Sequence, residues 1–157
     1  MATKKPLVLG TDGRPQQLQS GDTLANTSDT GQVNQTAAAT LIAGNAVYTS
    51  GADAVNKAQA NASGTKDVLG LATTAITSAA SGTIQANGIL VLTTAQWDAV
   101  AGTTGGLSPN AVYFLDPATA GKLTATVPTT AGQYVCEVGR ALSSTELLID
   151  IRSPILL

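Results

Sequence analysis

The feature that most limits what this chain can fold into is that it repeats itself. Asn45-Ala46-Val47-Tyr48 returns as Asn110-Ala111-Val112-Tyr113, 65 residues later, and Lys57 returns at the same distance as Lys122. Leu69-Gly70-Leu71-Ala72 answers to Val138-Gly139-Arg140-Ala141 at a spacing of 69, so the second copy carries four additional residues, placed within 127–132. The spacing is 65 again between Ile84 and Ile149, which pairs Ile89-Leu90-Val91-Leu92 with Pro154-Ile155-Leu156-Leu157. Two units of about 50 residues follow, 40–92 and 105–157. Such self-similarity marks one supersecondary unit used twice, each copy covering apolar surface that the other leaves open. The competing reading is two β-hairpin sets of similar sequence.

Each unit reads as strands. In the second, 110–115 is rich in β-formers and leads into the turn signal Asp116-Pro117, after which 122–127, 133–142 and 146–151 follow. Leu147, Ile149 and Ile151 alternate with Leu148, Asp150 and Arg152, a period of two that turns one set inward and leaves the charged pair in water. Between the units, Thr93-Thr94-Ala95-Gln96-Trp97-Asp98-Ala99-Val100 offers a capping threonine and good helix formers, with Gly102 as the stop. A short helix over about 94–101 is expected. The Ala-rich stretches 36–39 and 72–80 have helical propensity, but their threonines and flanking glycines argue for extended chain. The expected fold is all-β: a small β-barrel or sandwich over 34–157 built from the two repeated units, with the short helix between them. Residues 1–33 read as an extended N-terminal arm, too polar to bury a core of its own. Within it Leu7-Val8-Leu9, ahead of Asp12-Gly13 and Arg14-Pro15, reads as a short strand needing a partner edge on this chain or another.

Composition removes most chemistries. With no histidine and one cysteine among 157 residues there is no intramolecular disulfide, no Cys/His set for zinc, iron–sulfur or haem, and no histidine to activate a nucleophile. A net charge of −2 with the eight cations scattered leaves no footprint for nucleic acid, and 3% aromatics leave no platform for bases or sugars. Asp98, Asp116, Glu137, Glu146 and Asp150 read as solvating charges, and Asp12, Asp22 and Asp29 as turn or capping residues without the spacing of a calcium loop. Gly102, Gly105 and Gly106 follow the helix instead of preceding it, so they read as a loop and not a phosphate cradle. Trp97 reads as a core plug and Cys136 as a small buried hydrophobe. No catalytic residue, metal site or cofactor is expected, and no enzyme. No apolar run approaches a membrane span and no h-region follows Lys4 and Lys5, so synthesis and retention in a cytosol, without a membrane partner, are expected. Only 11% of residues are charged, where about 25% is usual, which suits a surface covered by other protein. The apolar Ile155, Leu156 and Leu157 call for such a cover, and with Leu7, Val8, Leu9 and Arg14 of the arm they are the candidate interface.

Several runs carry a resemblance: Gly106-Leu107-Ser108-Pro109-Asn110-Ala111-Val112-Tyr113-Phe114-Leu115, then Gly121-Lys122-Leu123-Thr124, Val138-Gly139-Arg140-Ala141-Leu142, and Ile149-Asp150-Ile151 with the Pro-Ile-Leu-Leu end. These resemble a C-terminal signature of small virion proteins of tailed bacteriophages, found in capsid decoration (cement) proteins and in some tail or fibre proteins. Lys5-Pro6-Leu7-Val8-Leu9 through Gly13-Arg14-Pro15-Gln16-Gln17-Leu18-Gln19-Ser20-Gly21-Asp22-Thr23-Leu24 is similar to the N-terminal lead of phage structural proteins. Together they cover about half the chain, with Asn110 standing where the signature has glycine. The resemblance implies a structural protein on the outer surface of an assembled head, with the major capsid protein and its own copies, as a homotrimer, for partners. The alternative it leaves open is a tail or fibre component that binds a host surface receptor or glycan. It brings no catalytic residues.

Overall fold

The computed structural model describes residues 31–157, together with the backbone of two short strands nearer the N-terminus. These, β1 (Leu7–Leu9) and β2 (Pro15–Gln17), pair antiparallel with Leu7 opposite Gln17. The strand expected at Leu7-Val8-Leu9 therefore takes its partner from the next strand of its own chain, a short loop that costs little closure entropy. The rest of 1–30, Arg14 included, lies outside the described residues.

The next five strands, β3 (Gln32–Ala37), β4 (Ala46–Gly51), β5 (Ala54–Lys57), β6 (Gly70–Ala72) and β7 (Ser81–Gln85), close into a barrel in the order β3-β5-β4-β6-β7. Closure depends on one parallel pair, β3 with β5, where Ala37 faces Val55; the other neighbours run antiparallel. Ala37, Leu41, Val47, Val55, Ala72, Ile76 and Ile84 fill the interior, since a ring of so few strands has room only for small and medium aliphatics. Neither Ala-rich stretch is helical: Thr36 and Ala37 end β3, Ala72 ends β6, and Ile76 bridges to Leu41. The arm expected over 1–33 ends sooner, because Gln32 and Val33 begin β3.

A second five-stranded sheet is made of β8 (Gly88–Val91), β9 (Val112–Leu115), β10 (Leu123–Thr124), β12 (Glu137–Ala141) and β13 (Glu146–Ile149), all antiparallel, in the order β10-β9-β12-β13-β8. Replacing β3, β4, β5, β6 and β7 by β8, β9, β10, β12 and β13 converts the first order into the second, except that β8 and β10 do not meet. A helix, α1 (Thr94–Ala101), follows β8 and contacts β10 instead. Thr93 and Gln96 form a reciprocal capping box at its start, and Gly102 at φ +63° ends it, as its sequence predicts. Trp97 is fully buried beneath the sheet, its indole N–H donating to the Thr145 carbonyl at 2.9 Å. The strands β11 (Tyr134–Val135) and β14 (Ile155–Leu156) pair separately as a ribbon.

The ladders fix which residues correspond, and they revise the pairing read from sequence. Leu71 faces Ala46 and Gln85 as Arg140 faces Val112 and Leu148, so the spacing of 69 holds for β6 and β12. Val47 then corresponds to Tyr113 and not to Val112, and Ile84 to Leu147 and not to Ile149. Burial agrees: Val47 and Tyr113 are fully buried, whereas Tyr48 and Val112 are half-buried. The repeated Asn-Ala-Val-Tyr thus enters the same strand turned by one residue, enough to exchange the two faces. Lys57 lies within β5, but Lys122 precedes β10 and donates to the Ala99 carbonyl at the end of α1. The strand order also divides the chain after Gln85, so Ile89-Leu90-Val91 opens the second module while Ile155 and Leu156 belong to the ribbon.

Backbone needs repeat where side chains do not. Gly44 (φ +86°) and Asn110 (φ +66°) hold the same place, each donating its N–H at 2.8 Å, to Ala72 and Ala141 respectively. Asn at 110 serves as glycine does at 44 because both residues tolerate this left-handed turn. Gly70 and Gly139 also correspond, and a Cβ on either would fall on the carbonyl oxygen of the facing strand, that of Gln85 or Leu148.

The two modules share one seam. On β4 and β6, Val47 and Ala72 point into the barrel while their neighbours Ala46 and Leu71 join Ala43, Ala58 and Ala60 against the second module's Leu115, Leu123, Val138 and Trp97 core. The loop between β9 and β10 bonds across it: Ala46 N–H donates to Gly121 O (3.1 Å), Gly121 N–H to Ala58 O (2.6 Å) and Ala60 N–H to Asp116 O (3.3 Å). Asn45, buried at 2% exposure, accepts from Ile42 N–H at 3.0 Å and donates to the Gly121 carbonyl at 3.0 Å.

Replacing Gly70 or Gly139 with alanine is expected to cost about 2–4 kcal/mol each, because the facing backbone cannot move without breaking its ladder. Asn110→Gly is expected to change stability by less than about 0.5 kcal/mol. Urea unfolding followed by Trp97 fluorescence measures all three.

Candidate interaction surface

The groups that could carry chemistry are dispersed and occupied. The Asp98 carboxylate accepts from Gly106 N–H (2.8 Å), Gly105 N–H (3.0 Å) and the Thr103 hydroxyl (2.9 Å), tying the glycine loop back onto the end of α1. Asp116 accepts from Ala118 N–H at 2.6 Å, the side-chain turn that Asp116-Pro117 signals. Glu146 accepts from the Ser143 hydroxyl at 3.2 Å. Asp150 and Glu137 flank Arg152 at 3.0 and 3.7 Å, and together they raise the guanidinium's pKa further. In water this pairing is worth little. Cys136 is fully buried with Sγ 3.7 Å from the Arg152 carbonyl, and burial pushes its thiol up to about 11. Asp12, Asp22 and Asp29 lie outside the described residues.

Loop organisation by Asp98 is the role that sequence reading missed. Its signal was present in the three glycines that follow an acidic residue at a helix end, because they free backbone N–H groups for one carboxylate to collect.

What the surface does present is aliphatic. Ile155, Leu156 and Leu157 are 66%, 60% and 42% exposed, although their backbone is fixed by β11 and by the bonds of Gly132 and Gln133 to Leu157. A second patch was not foreseen: the outer face of the second sheet carries Ile89 opposite Leu148, with Val91 and Leu142 on the adjoining rows across Glu146. Ile89 and Val91 are 48% and 61% exposed. The unbroken Ile89-Leu90-Val91-Leu92 run was its signal, since a strand with one wet face should alternate. Arg140 is the cation of that face. A shallow cleft of about 320 Å³ between Ile42, Ala43, Ala75 and the Ala95, Gln96 and Ala99 side of α1 has no charged lining group. Of the candidate interface residues, the structure places Ile155, Leu156 and Leu157 together, places the backbone of Leu7, Val8 and Leu9 in β1, and leaves Arg14 outside the described residues. No described helix is long and apolar enough to cross a membrane.

The chain matches no protein-family model and no curated protein.

The Asp98 hydrogen bonds, that from Gly106 foremost, hold its carboxyl below the ordinary value of 3.8. The folded form therefore takes up its proton at lower pH than the unfolded chain does. Its contribution to stability is complete above about pH 5 and is lost as pH falls through the depressed value. Asp98→Ala is expected to lower the melting temperature at pH 7 and to flatten the fall in stability between about pH 5 and pH 2. Thermal unfolding across that range checks it, and parallel curves for the two proteins would refute it.

Proposed function

We propose that the chain is a structural protein of a tailed-phage virion, a decoration protein that binds the outer surface of the assembled head and stabilises it. The observation that supports this most is the pair of aliphatic patches, Ile155-Leu156-Leu157 and Ile89-Val91-Leu142-Leu148, held in water on strands and the residues that directly follow them. Such patches suit contact with other protein. The residues that resemble the phage signature supply the setting. The partners under this reading are the major capsid protein and sister copies in a trimer.

The physics is linkage: a protein that binds the assembled shell and not its free subunits stabilises the shell by mass action. Each half-exposed aliphatic side chain that becomes covered contributes about 1 kcal/mol, and several such side chains repeated over many sites raise the force or temperature that opens a head. Gold-labelled antibody on virions carrying this protein is expected to mark the head surface, and heads lacking it are expected to rupture at lower temperature. Label confined to the tail would replace this reading with the receptor- or glycan-binding one.

A further inference from the structure

The second module has an unpaired strand edge. Leu92 N–H donates to the Thr145 carbonyl at 3.0 Å, so in the antiparallel ladder of β8 with β13 the main-chain groups of Leu90 and Leu92 face β13 while those of Ile89 and Val91 face away. The Ile89 carbonyl accepts from Gln85 Nε2 at 3.0 Å, and the N–H groups of Ile89 and Val91 meet no acceptor among the described residues. In the first module the corresponding strand, β3, is closed on that side by β5; in the second, β8 and β10 do not meet.

The same edge is where the N-terminal segment arrives. Gln32, the first residue of β3, donates to Gln85 Oε1 at 3.5 Å, and Gln85 is the residue that holds the Ile89 carbonyl. Just ahead of it, the Gly31 carbonyl accepts from Ala86 N–H at 2.6 Å, at the turn that leads into β8. The 30 preceding residues therefore reach the fold beside an edge that lacks a strand. They contain β1, whose other side pairs with no strand among the described residues.

We propose that β1 (Leu7–Leu9) pairs through its main chain with the open edge of β8 in the same chain, giving the second sheet a sixth strand. The tether of 18–30 spans up to about 43 Å at 3.3 Å per residue, against about 13 Å for the length of β8, so the connection is long enough without strain. A tether of that length also holds β1 near β8 at an effective concentration in the millimolar range, which favours the same chain over a neighbour. Pairing gives the Ile89 and Val91 donors their acceptors and blunts an edge that would otherwise recruit other chains.

Amide hydrogen exchange on the full-length protein tests it. Ile89 and Val91 are expected to exchange at least about 100-fold more slowly than an unstructured amide. Opposite Pro15, which has no N–H, Leu9 cannot form a hydrogen-bonded pair, so the Leu9 main chain faces away from β2. In Leu9→Pro, which removes that outward donor, Ile89 and Val91 are expected to lose most of that protection while Leu92 keeps its own. Exchange of Ile89 and Val91 at the unstructured rate in the unaltered protein would overturn the proposal, as would protection unchanged by Leu9→Pro. A spin label on Val8→Cys, with buried Cys136 left in place, separates same-chain from exchanged pairing. Broadening of Ile89 and Val91 within the labelled chain supports the proposal. Broadening of an isotope-labelled chain by the label on a different copy would overturn the same-chain assignment.

Discussion

The fold depends on a wall that serves two cores at once. In β4 and β6, successive residues face opposite ways, so Val47 and Ala72 close the barrel while Ala46 and Leu71 form a floor for the second module. Alanine at 43, 46, 58 and 60 is what lets the second module approach closely enough for its β9–β10 loop to bond to the first module's backbone. Asn45 ties the two layers together, with one amide atom on the Ile42 turn and the other on Gly121 across the seam. A protein with so few aromatics makes its core by sharing a sheet between two thin layers, with Trp97 and Tyr113 as its large fully buried side chains.

Why one module closes and its relative does not follows from the connection after the first strand. In the first, 38–45 is short and Leu41 reaches across to Ile76, allowing β3 to meet β5. In the second, that connection contains α1, whose Trp97 and Val100 occupy the core and whose far end receives Lys122. The helix fills the space that pairing between β8 and β10 would need. The open edge of β8 and the exposed Ile89 and Val91 are consequences of that insertion, and they supply both the proposed docking place of β1 and part of the proposed contact surface.

Much of this was legible in the residues. The capping box at Thr93 and the stop at Gly102, the alternation of Leu147 and Ile149 with Leu148, and the glycine shared at 70 and 139 each state a local rule that the fold obeys. The exact correspondence of the repeats was not legible, because identical tetrapeptides can enter a strand one residue out of phase and only the facing strand decides the register. Hence Val47 is matched by Tyr113. The outward face at Ile89 and Leu148 was equally hidden: an aliphatic run reads as buried until the sheet around it shows which side is left uncovered.

The shared wall is the central claim, and substitution of Asn45 by alanine tests it most directly. The change leaves the Ile42 N–H without its partner and removes one donor to the Gly121 carbonyl, a loss of about 1–3 kcal/mol. Urea unfolding would be followed at Trp97 for the second module and by amide exchange of Val55 and Ile84 for the barrel. The shared wall requires a single transition in which both probes lose the same stability. A transition that splits, or a barrel whose amides keep their full protection while Trp97 becomes exposed, would show two independent modules and contradict it.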